Sequence, residues 1–206
     1  MALLTRLAYQ ALLIFLLVSL FATTGRAQPR ARESDLKATF LFNFTHFVEW
    51  PQSALEPTNA PFVIGILGTD PFGSFLDELV KNENVHGKKI VVKRFTTAEQ
   101  AAGAHNVFIS RSEESRLKSI LSTFTRKPLL TVGDAWPYPG FARRGGMIGM
   151  FTEQGKLRIR INVEATKGAG LQVSSKLLRI AEVVSTDSAA VTGSPRLTLI
   201  ANACCN

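Results

Sequence analysis

The chain has 206 residues, a length that suits one domain able to bury most of its apolar surface. Its 24 Lys and Arg against 16 Asp and Glu give a formal charge of +8. The basic residues are scattered rather than clustered, which argues against nucleic acid, and the excess of positive charge reads as a generally solvated basic surface or as attraction to anionic surfaces such as lipid head groups. Two cysteines and three histidines argue against a disulfide framework and, lacking paired-cysteine or H-E-x-x-H spacing, against a zinc site.

Residues 1–27 read as a secretory signal peptide. Arg6 supplies the positive end, ALLIFLLVSLFA at 11–22 the apolar run, and Gly25-Arg26-Ala27 the small residues of a cleavage site. The run is shorter than the roughly 20 residues that span a bilayer; retention as an anchor stays the alternative to cleavage. Removal takes away Arg6 and Arg26 and no acid, and leaves an exported mature protein.

The stretch SDLKATFLFNFTHFVEWP at 34–51 predicts a helix. Ser34 suits an N-cap and Asp35 the positive end of the dipole. Leu36, Phe40, Phe44, Phe47 and Val48 recur at spacings of three and four, one buried face. Leu41 and Phe42 widen the apolar surface beyond a stripe, so the helix is deeply buried or covered by a partner. Trp50 before Pro51 ends it. Phe40, Asn43, Phe44, Phe47 and Trp50 are therefore the candidate structural or interface residues. Asn43, Asn162 and Ser174-Ser175 are polar groups among core positions, internal ties first and ligand contacts second.

PFVIGILG at 61–68 predicts a strand buried on both faces, followed by the helix FGSFLDELVKN. The strand KIVVKRF at 89–95, the helix TTAEQAAG, the strand NVFIS at 106–110, a helix over 112–126 and the strand PLLTVGD at 128–134 follow. This alternation predicts an α/β domain over 28–185: a mostly parallel sheet flanked by helices on both faces. GMIGMFTEQGKLRIRINVE at 146–164 reads as an antiparallel hairpin turning at Gln154-Gly155, with Lys156, Arg158 and Arg160 on a wet face. LQVSSKLLRIAEVV at 171–184 reads as a final helix. Residues 186–206 form a C-terminal tail in which RLTLIANA suits a short strand, and its Cys204 and Cys205 lie outside any core.

Chemistry is sparse. The loop from Gly68 through Asp70 and Phe72 to Gly73 leaves a strand and opens a helix, where doubly wound sheets bind ligands. Without G-x-G-x-x-G or a Walker lysine, a tight turn and an anion site are its two readings. Asp134 ends the fourth strand, and Arg143 and Arg144 stand between glycines after a loop with Trp136 and Tyr138. Two guanidinium groups there suit a carboxylate or phosphate, or simply solvent. Gly68, Asp70, Phe72, Gly73, Asp134, Arg143 and Arg144 are thus the candidate ligand-binding residues, in a pocket between the 68–73 and 131–146 loops. No G-x-S-x-G elbow or S-x-x-K occurs, so no catalytic residue, metal or cofactor is assigned.

The string LKATFLFNFTHFVEWP resembles the opening signature of the YfiR/HmsC-like family of exported regulators. FVIGILGTDPFGSFLDELV, KKIVVKRF, HNVFISRSEESRL, LLTVGD and the run 140–184 continue the resemblance in order, over roughly 34–185. It implies a periplasmic inhibitor that binds the periplasmic portion of an inner-membrane diguanylate cyclase or kinase. It also implies release by an envelope signal or an outer-membrane lipoprotein antagonist, and a homodimer. Members described as disulfide-bonded carry cysteines inside the domain; this chain has none there, which puts redox control by such bridges in doubt. A small-molecule binding module serving a histidine kinase or transport system is the alternative, and nothing in the sequence asks for an enzyme.

Overall fold

The computed structural model describes residues 32–134 and 140–186. The signal segment 1–27, Trp136, Tyr138 and all but the first residue of the tail, with Cys204 and Cys205, lie outside the described residues.

The aromatic helix α1 spans Glu33–Phe47, beginning one residue before the expected cap Ser34 and placing Glu33 and Asp35 in its first turn. Its end is set before Trp50: Val48–Glu49 form strand β1, and Pro51 leads into a 3₁₀ turn at Gln52–Leu55. The core elements follow as β2 (Phe62–Leu67), α2 (Ser74–Val80), β3 (Asn84–Val85), β4 (Lys88–Phe95), α3 (Ala98–Ala101) and β5 (Asn106–Ile109). A 3₁₀ turn at Arg111–Arg116 runs into α4 (Leu117–Thr123), so the helix expected over 112–126 is split and shorter. Then come β6 (Leu130–Asp134), β7 (Ile148–Glu153), β8 (Lys156–Asn162), α5 (Val163–Gly168), β9 (Gln172–Val173), α6 (Ser175–Leu178) and β10 (Glu182–Val184).

Eight strands form one sheet in the order β10-β8-β7-β6-β5-β2-β4-β3. The sheet is mixed rather than mostly parallel: β2, β4, β5, β6 and β7 run one way, while β3, β8 and β10 run the other. Two-residue turns make the reversals. His86-Gly87 joins β3 to β4 and Gln154-Gly155 joins β7 to β8, all four residues at positive φ, the geometry that matches strand twist in tight hairpins. The second hairpin was legible in the sequence; the first was not, because histidine is an unusual residue for that turn.

Alternation along β2 sorts the core into two layers. Phe62, Ile64 and Ile66 join Ala38, Leu41 and Phe44 of α1 and Leu76 and Val80 of α2. Val63 and Leu67 face the other way, toward Ala98 and Ala101 of α3 and Leu117, Ile120 and Phe124 of α4. Helices therefore lie on both faces, as the βα alternation predicts.

The expected final helix over 171–184 is corrected. Gln172 and Val173 pair with Glu49 and Val48 in a separate two-stranded sheet. Ser174 Oγ accepts from Leu177 N–H at 3.3 Å and caps only the short α6. Beyond it, Glu182 accepts from Arg160 Nε at 2.8 Å and β10 adds to β8 in parallel. Strand alternation then buries Val184 and leaves Val183 58% exposed, which a helix through these residues would not do.

Candidate functional site

The chain leaves β2 toward α2 on one face and leaves β5 toward α4 on the other, so the topological switch point lies at the carboxyl ends of β2 and β5. Ligand crevices of doubly wound sheets form at such points. Here the crevice is filled by the chain itself. Gly68 has φ +87°, and a Cβ on it would stand 2.4 Å from Ser112 Oγ and 2.8 Å from Glu113 Cγ. Thr69 N–H donates to that Ser112 Oγ at 2.9 Å. Glu113, buried, pairs with Arg116. The loop after β2 and the turn after β5 thus close on one another.

Asp70 looks away from this seam. Its Oδ1 accepts from the N–H groups of Phe72 at 2.7 Å and Gly73 at 3.3 Å, and its Oδ2 from Arg94 Nε at 3.0 Å. Arg94 also donates to both carboxylate oxygens of Asp77, at 2.7 and 2.5 Å, and to Gly73 O at 2.9 Å. The hydrogen bonds to Asp77, then those to Asp70, raise the Arg94 pKa, and Arg94 in turn holds Asp77 below the usual carboxylate range. Phe72 is buried edge-on against Phe108, ring centroids 4.8 Å apart. Gly68, Asp70, Phe72 and Gly73 therefore shape and brace the start of α2.

Asp134, at the end of β6, accepts from Lys37 Nζ at 2.7 Å, and Lys37 also pairs with Glu33 at 2.8 Å. Burial alone would lower the Lys37 pKa, but the bonds to Asp134 and Glu33 outweigh it and raise the value; the Lys37 bond lowers that of Glu33. Arg144 reaches Glu114, Nη1 to Oε1 and Nη2 to the backbone O, both at 3.4 Å. Arg143 lies 3.9 Å from Glu182. Beside Asp134 and the Arg144–Glu114 pair a cleft of about 20 Å³ is lined also by Ser110, Glu113 and Phe141 among others, room for about one water.

Of the sequence-predicted residues, the fold thus brings Asp134 and Arg144 to one cleft and leaves Asp70, Phe72 and Gly73 on the Arg94 side. Sequence reading missed Lys37, Ser112, Glu114 and Arg94. Only Lys37 left a signal, as the sole lysine on an otherwise aromatic helix.

The other face of the site is α1. Ala38, Leu41, Phe44, Thr45 and Val48 are buried, whereas Phe40, Phe42, Asn43 and Phe47 are half-buried and Leu36 is 40% exposed. The buried stripe is rotated from the one the phenylalanines mark. Trp50 is buried, its Nε1 donating to His105 O at 3.2 Å and its ring edge-on to Phe62. Asn162 is fully buried and tied: Oδ1 caps α5 through Ala165 N–H at 2.9 Å, while Nδ2 donates to Ala142 O at 3.0 Å and Thr186 Oγ1 at 2.7 Å.

The fold is a three-layer α/β architecture whose switch point is filled by its own loops, and the charged side chains at that edge are paired with one another. Among the described residues, no group of three or more His, Cys, Asp or Glu is placed to hold a metal ion, and no helix is long and apolar enough to cross a membrane. The family model described as YfiR/HmsC-like matches residues 34–182, and the chain belongs to that family. It is a family of periplasmic regulators of diguanylate cyclases, regulatory rather than catalytic. No curated protein matches the chain.

Proposed function

We propose that this protein is a periplasmic regulator that binds and represses an inner-membrane signalling protein, a diguanylate cyclase, and so controls cyclic di-GMP and biofilm formation. Membership of the YfiR/HmsC-like family over residues 34–182 carries the reading. The self-filled crevice supports it, since a domain that closes its own ligand site has its surface left to work with. On that surface the flank of α1, with Leu36, Phe40, Asn43 and Phe47, offers half-exposed aromatic area of the kind that anchors protein partners. Its partner is the periplasmic portion of the cyclase or of a kinase, with a homodimer and an outer-membrane lipoprotein antagonist as further occupants. Repression requires that this surface bind one state of the partner more tightly than the other.

Deleting the gene raises cyclic di-GMP, and restoring it lowers the level again; an unchanged level in the deletion strain sinks the proposal. A ligand-binding module feeding a histidine kinase or transport system is the alternative. A ligand at the 68–73 and 131–146 loops would have to displace the Arg144–Glu114 or Lys37–Asp134 pair. Ligand-dependent melting of the wild type and of Arg144→Ala separates the two readings, because the alternative demands a shift that the Arg144 change abolishes and the regulator demands none at these loops.

A further inference from the structure

Among the described residues no helix lies over β6 and β7 on the second face of the sheet, and the two halves of that face are covered differently. Toward the carboxyl ends Phe141 lies flat on glycine: a Cβ at Gly133 would stand 2.6 Å from its ring, and one at Gly146 2.1 Å. Toward the amino ends no described residue forms such a plug. There a pocket of about 310 Å³ opens between the end of α4 and the end of α5, walled by Leu121, Phe124, Met147 and Ala165. That volume is at the lower end of the roughly 300–1,000 Å³ typical of small-molecule sites.

Two donors border this pocket, the buried Thr131 inside it and the exposed Arg126 at its rim. Thr131 is buried and lines the pocket; its Oγ1 accepts from Met147 N–H at 3.1 Å, which leaves the hydroxyl hydrogen to donate. Arg126 lines the same pocket, and among the described residues its guanidinium has no hydrogen bond or ion pair. Its backbone has φ +60°, a conformation glycine takes freely and other residues only at a cost. Arg126 takes this conformation in the turn that follows α4, closed by Lys127 N–H to Phe124 O at 3.0 Å, and the turn sets its side chain at the pocket's rim. No acidic residue lines the pocket, so a bound ammonium would have no partner.

We infer that this amino-edge pocket binds a small carboxylate with an apolar body, its carboxylate on Arg126 and Thr131 and its aromatic or branched part against Leu121, Phe124 and Met147. The absence of acid in the lining selects simple organic acids over amino acids and amines. The site is separate from the carboxyl-edge cleft, and the inference stands whether or not the cyclase reading holds.

Phenylacetate, phenethylamine and L-phenylalanine titrated into the purified protein by calorimetry test it. Phenylacetate binds saturably at up to millimolar concentration, phenethylamine does not, and L-phenylalanine binds more weakly than phenylacetate. Arg126→Asn, which removes the charge and tolerates the left-handed backbone, weakens phenylacetate about tenfold or more. Gly168 lines the pocket with no atom within 4 Å of a Cβ built on it, so Gly168→Leu fills the space and abolishes binding without lowering the melting temperature. Absence of phenylacetate binding, equal binding of the amine or the amino acid, or full affinity in either variant overturns the assignment.

Discussion

Gly68→Ala tests whether the switch point is closed by the chain's own loops. The new methyl group meets two costs. Holding a non-glycine residue at φ +87° costs about 1–2 kcal/mol. Placing a Cβ 2.4 Å from Ser112 Oγ and 2.8 Å from Glu113 Cγ adds an overpacking cost of about 1–3 kcal/mol, for a total near about 3 kcal/mol. The second cost depends on Ser112 and the first does not. In a Ser112→Ala background the same glycine change should therefore cost about 1 kcal/mol less, the coupling expected of residues in contact. Urea unfolding of the wild type, both single variants and the double variant yields the cycle directly. Equal costs of Gly68→Ala in both backgrounds would show that the two loops do not pack together, and the closed crevice would have to be abandoned.

Asn162→Ala removes the α5 cap, about 1 kcal/mol, and a buried hydrogen bond to Ala142 O, about 1 kcal/mol, leaving that carbonyl its bond from Gly145 N–H at 3.3 Å; a loss of about 2 kcal/mol in urea unfolding is expected, and a loss under about 0.5 would contradict its role as a tie. Phe44→Glu buries an unpaired charge and prevents folding, whereas Phe47→Glu, at a half-buried position, leaves a folded protein that fails to repress; circular dichroism and cyclic di-GMP levels separate the two, and a repressing Phe47→Glu protein removes α1's flank from the interface. His105 accepts from Val63 N–H through Nδ1 at 3.0 Å, so Nε2 carries the hydrogen bonded to Ala54 O at 3.1 Å. Burial, and then the charges of Lys88 and His86, hold its pKa below the ordinary 6.5 against the opposing Ala54 bond. Just below that value the unfolded chain binds more protons than the folded one, so stability is full above it and is lost on acidification. Melting temperature should fall from neutral to mildly acidic pH, and a flat profile over that interval would refute the linkage.

Sequence patterns were most legible where local chemistry and tertiary contact agree. β2 reads as a doubly buried strand from FVIGIL alone, and Gln154-Gly155 names its own hairpin. α1 was found, but its orientation was not, because apolar residues on nearly all sides leave periodicity little to choose between. Close approach of the helix to the sheet favours Ala38 and Thr45 on the inner face over the larger Phe40 and Phe47. The final segment misled because LLRIAEVV suits either period; Arg160, met only in the folded sheet, decides for a strand at Glu182. At the site, Asp134 and Arg144 were visible as charges near glycines, but Lys37 and Glu114 are remote in sequence and enter only through packing.

The small sheet of β1 and β9 has a consequence for how the domain is made. Ser174 N–H donates to Phe47 O at 2.8 Å, and Val48 faces Val173, so the end of the first helix is fastened by residues synthesised near the end of the domain. Such long-range closure cannot occur until almost all of the folded part is present. Until then the aromatic surface of α1 stays open, an aggregation-prone state that the chain passes through each time it folds.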